Sequence, residues 1–150
     1  MATRRLIKTV SFPARSKPHM LRVSPDGKEV WVQTADTNTN VVLNADDLSV
    51  LATEPTGKYP VTNSWTPDRR YSIVTNGHDT FAQIFDARTF KEVKRLAIGP
   101  GGSNIGFSTD GKTAFIALTG ANAVAVIDVE KLAVAGQIRA GAAPQGLIIR

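Results

Sequence analysis

The chain contains no cysteine, which excludes disulfides and thiolate-held metals and leaves the redox compartment open. Histidine is scarce, with only His19 and His78 present. No apolar stretch approaches the roughly 20 residues of a membrane-crossing helix. No helical face of useful length appears. No Gly-x-Ser-x-Gly motif nominates a nucleophile, and no carboxylate pair stands out as an acid–base couple. These absences name no ligand.

What is present is a spacing of 42 residues held from end to end. Pro18, Pro60, Gly102 and Pro144 follow it, as do Asp26, Asp68 and Asp110, and Gly57, Gly99 and Gly141. Leu6, Leu48, Phe90 and Leu132 keep the same step. A period of about 40 to 50 residues marks a radial or solenoid array whose units shield one another from water. The full units are residues 18–59, 60–101 and 102–143. Residues 1–17 match the end of a unit and carry a basic arm, and 144–150 match the first strand of a following one.

Each unit holds four short apolar runs. In the first they are Met20–Val23, Val30–Val32, Val41–Leu43 and Leu48–Ala52. Their β-branched and aromatic content predicts strands. Four strands per unit at this period predict an all-β propeller segment of four-stranded antiparallel blades, about three and a half in number. Val30-Trp31-Val32 and Ala125-Val126-Ile127 are apolar on both faces, as a blade packed between two others requires. Trp31, Trp65, Phe107 and Phe115 are expected in the core.

Ser24-Pro25-Asp26-Gly27 and Ser108-Thr109-Asp110-Gly111 predict tight turns, in which glycine supplies a positive φ. Pro67-Asp68-Arg69-Arg70 lacks the glycine, and a looser turn, or a turn type without a left-handed residue, is expected there.

The net charge of +5 equals the charge of one arm, where Arg4, Arg5, Lys8, Arg15 and Lys17 occur without an acid. No stacking platform accompanies them, so a solvated terminus is expected and not a nucleic-acid site. Arg4-Arg5 invites comparison with an export signal, but Ser11 to Lys17 is too polar and broken to supply the apolar segment.

Tyr71-Ser72-Ile73-Val74-Thr75-Asn76-Gly77, then Ala82-Gln83-Ile84-Phe85-Asp86, resembles the repeat of YVTN-type β-propellers. Pro18-His19, Ser24-Pro25-Asp26-Gly27 and Val124-Ala125-Val126-Ile127-Asp128 match it as well. The resemblance implies a larger ring, periodic shielding of blades, and a periplasmic or extracellular home. It is also similar to the haem d1 propeller of nitrite reductases. A non-catalytic module binding a protein or small molecule is the function it implies, completed by missing blades or by copies of itself. The alternatives are a haem- or redox-associated propeller using His19, and part of an enzyme whose active site lies in other blades.

The resemblance places ligands on the face made by the blade-to-blade links and the loops between second and third strands. His19, His78, Asn76 and Asp79 fall there and are the candidate ligand-binding residues. Histidine could act there as an axial haem ligand, a metal ligand or a proton carrier, against the plainer role of packing and hydrogen bonding. No metal site is expected. Asp36-Thr37-Asn38-Thr39-Asn40 opens like a calcium loop but has Val41 where the sixth-position glycine belongs. Gly99-Pro100-Gly101-Gly102 precedes a strand instead of the helix a phosphate cradle needs.

Overall fold

The computed structural model describes residues 5–147. Twelve strands and no helix occupy those residues, in three four-stranded antiparallel sheets. The first sheet holds β1 (Pro18–Val23), β2 (Glu29–Thr34), β3 (Thr39–Asn44) and β4 (Val50–Pro55). The second holds β5 (Pro60–Trp65), β6 (Tyr71–Asn76), β7 (Phe81–Asp86) and β8 (Glu92–Ala97). The third holds β9 (Gly102–Phe107), β10 (Thr113–Leu118), β11 (Ala123–Asp128) and β12 (Ala133–Arg139). Strands run in sequence order within each sheet, and β5 lies beside both β1 and β9. The first strands therefore line the inside of an arc of three propeller blades.

Side-chain alternation divides each blade between its neighbours. Trp31 and Val42 pack with Val74 and Phe85 of the second blade. Ile73, Ala82, Ile84 and Leu96 pack with Ile105, Ala114, Ile116 and Ile127 of the third. Trp31 meets Trp65, Phe85 and Phe90 edge-on, with centroids 5.6, 6.3 and 5.9 Å away. Each such pair contributes about 0.5–1.5 kcal/mol beyond the area it buries. Trp65, Phe107 and Phe115 are only half-buried.

The three β-turns between first and second strands use one set of bonds. The Ser24, Thr66 and Ser108 hydroxyls donate to Asp26, Asp68 and Asp110 at 2.8, 2.5 and 2.6 Å. The same hydroxyls accept from the amides of Glu29, Tyr71 and Thr113. Arg69 stands at the left-handed position with φ 62°, beside 76° for Gly27 and 71° for Gly111. The looser turn expected there does not form. The Thr66–Asp68 bonds hold the loop in the common shape, and Arg69 takes the strain.

The fourth strands begin later than the apolar runs suggest. Leu48, Phe90 and Leu132 have φ of 60°, 63° and 47° and belong to the turn. Leu48 and Phe90 donate their amides back to Asn44 and Asp86 at 2.9 and 2.8 Å. The hydrophobic residue at this step thus closes a reversal instead of opening a strand.

Residues 5–17 form no strand. A blade's last strand needs a third strand beside it, and none precedes them among the described residues. Val10 and Phe12 instead pack against the cluster of Val32, Val41 and Leu43, while Leu6 and Ile7 are exposed. Residues 144–147 form no strand either, and the rest of the strand expected over 144–150 lies outside the described residues, as do residues 1–4 of the arm.

Candidate functional site

Each blade is entered through a left-handed residue at the repeat step: Lys17, Tyr59, Gly101 and Ala143, with φ of 49°, 56°, 81° and 47°. These link residues are tied to loops between second and third strands, by backbone bonds from the blade being entered and by asparagine side chains from the blade just left. Gly77 N donates to Tyr59 O at 2.8 Å, and Thr119 N to Gly101 O at 2.9 Å. His78 N donates to Lys58 O at 3.1 Å. Asn38 and Asn122 turn their side-chain oxygens onto the amides of Tyr59 and Ala143, both at 2.9 Å. The loop that opens like a calcium site therefore uses Asn38 to cap a link.

These backbone bonds decide where the histidines lie. His78 is drawn over the Tyr59 ring and stacks on it, with centroids 4.4 Å apart and planes at 25°. His19, the second residue of β1, meets the same ring edge-on at 5.3 Å. The Lys17 ammonium stands 4.9 Å from the ring centroid, a cation–π contact worth about 0.5–1 kcal/mol at an exposed site. Histidines 59 residues apart in the chain thus share one tyrosine.

His19 Nδ1 lies 3.1 Å from the Val61 carbonyl. A carbonyl only accepts, so Nδ1 is the donor in this bond and Nε2 is left facing away from it. A similar bridge recurs two junctions on, where Asn104 Nδ2, next to the residue at the His19 step, donates to Gln145 O at 2.8 Å. Together His19, Tyr59, His78, Ser103, Thr119 and Gln145 surround a cleft of about 360 Å³ on the inner side of the arc. No carboxylate lines it.

Asn76 and Asp79 stand behind this cleft. Asn76 is buried and donates to Phe81 O and Gln83 Oε1, both at 3.2 Å. Gln83 Oε1 also accepts from Gly57 N at 2.7 Å. Asp79 Oδ2 accepts from the Lys58 amide. A Cβ on Gly57 would sit 2.6 Å from that oxygen, which is why the link needs glycine there. Both residues brace the link that carries Tyr59. Glu92 completes the network by accepting from Gln83 Nε2 at 2.7 Å. Its partial burial pushes its pKa up, but Arg95 and Gln83 outweigh that and hold the carboxyl below its usual range.

Sequence reasoning missed Tyr59. The available signal was its place in the repeat: a large aromatic immediately before the repeat proline, at the step where Lys17 and Gly101 stand. Gly101 is required at that step in the link into the third blade, because a Cβ there would meet Gly120 N at 2.3 Å. Close approach, not anion binding, accounts for this glycine.

No protein-family model and no curated protein matches the chain. Solved structures do. Hydrazine synthase of Kuenenia stuttgartiensis is 23% identical with a TM-score of 0.82, over 95% of this chain and 41% of that one. The dihydro-heme d1 dehydrogenase NirN, in complex with DHE, is 17% identical with a TM-score of 0.70, over 79% of this chain and 27% of that one. The WD40 repeats of RRP9 are 11% identical with a TM-score of 0.76, over 85% and 40%. The chain spans less than half the length of each. At these identities the likeness is one of fold, and it defines the class: the chain is a segment of a β-propeller.

Proposed function

We propose that this chain is a non-catalytic binding module with YVTN-type repeats, whose inner cleft receives an anionic group of a partner protein or small ligand. The observation that carries this reading is the meeting of His19, His78 and Lys17 on Tyr59 beside a cleft without carboxylates. Propeller loops bind by rigid display, since the blades fix the loops before the ligand arrives. Here the backbone bonds from Gly77 and His78 to the preceding link supply that rigidity. Further blades complete the ring, because an arc leaves apolar blade faces uncovered.

A glutamate-rich peptide is the probe. Its addition should shift the imidazole NMR signals of His19 and His78 saturably, without turnover, and Lys17→Glu should abolish the effect. Unmoved imidazole signals would sink this reading.

His19 supports a second reading. With Nδ1 tied to the Val61 carbonyl, Nε2 is free and oriented, the arrangement that serves axial histidines. His19 Nε2 would be the residue atom that holds a haem, and the haem would supply redox chemistry when bound. Haem titration of the wild type should then raise a Soret band that His19→Ala removes. A protein that stays colourless rules it out.

A further inference from the structure

The first blade presents one face to its neighbour, and among the described residues no blade covers the other. On that second face the register aligns Leu21 and Val23 of β1 with Val32 and Val30 of β2. Val41 and Leu43 of β3 and Val50 of β4 continue the row. The seven side chains form one apolar surface across all four strands. Val10 and Phe12 cover its centre only. Leu21, Val23 and Val50 remain 59%, 54% and 60% exposed. A cleft of about 320 Å³ separates the covering segment from the sheet, with Val10, Phe12, Val41 and Val50 in its walls. The cover fits poorly.

The repeat identifies what fits well. The equivalent positions in the third blade include Ala114, Ile116 and Ile127, all sealed by the second blade. The surface that seals them carries Ile73, Ala82, Ile84 and Leu96. One step further along, the third blade carries Phe115, Val124, Val126 and Ile138 at those same positions. Leu96 is 3% exposed, whereas Ile138 is 54% exposed. The chain therefore holds both halves of its own blade junction, one at each end of the arc. Asn104 is also aimed at the place of a following inner strand, where the Gln145 carbonyl stands in.

We propose that the open face of the first blade receives the third blade of a second copy, so that two chains close head to tail into a six-bladed ring. This rests on the reading that the arc is completed, and it names what completes it. Six blades fall within the four to eight typical of propellers. A heterologous junction that closes after two copies leaves no free apolar face. The segment around Val10 and Phe12 and the Gln145 carbonyl give way to the incoming blade.

Light scattering of the full chain across a dilution series tests this. The expected mass is twice 16.1 kDa, falling to that value on dilution. Ile138→Asp and Val23→Lys change side chains that are already exposed, so the circular dichroism should be unchanged while each variant becomes monomeric. Mixing the two should restore a two-chain species, because one copy keeps an intact first blade and the other an intact third. A monomer at every concentration overturns the proposal. So does a polymer that lengthens with concentration, or a dimer that survives both substitutions. The imidazole shifts that test the cleft do not depend on mass, so the two readings fail separately.

Discussion

Arginine at a left-handed position is the clearest residue-scale departure from the repeat. Gly27 and Gly111 adopt the same conformation freely, while Arg69 places a Cβ against its own carbonyl. Arg69→Gly should therefore stabilise the chain by about 1 kcal/mol in urea unfolding. The turn aspartates act in the opposite sense. Ser24 and Ser108 hydroxyls, then the Lys28 and Lys112 amides, hold Asp26 and Asp110 below the usual carboxylate range. Slight burial pushes Asp68 up, but the Thr66 hydroxyl and Arg70 amide bring it below as well. A carboxylate depressed in the folded state adds stability above its unfolded pKa, and that stability is lost as pH falls through the folded value. The urea midpoint should be flat above about pH 5 and decline below about pH 4. Replacing all three with asparagine should flatten the decline.

At the scale of elements, the links and turns separate glycines that matter from those that do not. Gly101 combines φ of 81° with a Cβ position 2.3 Å from Gly120 N, whereas Gly136 on β12 has nothing within 4 Å. Gly101→Ala should cost about 3 kcal/mol, by strain and overpacking together. Gly136→Ala should be neutral or stabilise by up to about 1 kcal/mol. Thermal melts of the two variants check the contrast. The strands themselves were legible in the sequence, because burial between blades writes apolar residues at fixed steps. Less legible were the strand starts. Leu48, Phe90 and Leu132 look like strand residues by composition, and only the backbone bonds to Asn44 and Asp86 show two of them closing a turn. The site was legible in part. His19 and His78 stood out as rare residues at one face, but their shared partner Tyr59 depends on bonds between a link and the loop of the blade it enters. No spacing within one unit encodes that contact.

At the scale of the molecule, the cores belong to pairs of blades and not to single ones. Both tryptophans lie at the junction of the first two blades, while the second junction is made of aliphatic side chains, with Tyr71 and Phe107 at its edge. If the junctions couple the blades, tryptophan fluorescence and far-ultraviolet dichroism should report one coincident denaturant transition. Separate midpoints would mean that the third blade unfolds by itself. The same coupling makes the inner cleft, since its walls come from three blades and their links.

The most direct measurement is therefore the set of nuclear Overhauser contacts from the Tyr59 ring. Contacts are predicted to both His78, stacked at 4.4 Å, and His19, edge-on at 5.3 Å. A tyrosine ring that touches neither histidine would contradict the account, because the link into the second blade would then not gather that blade's loop and the first strand of the preceding blade on one ring.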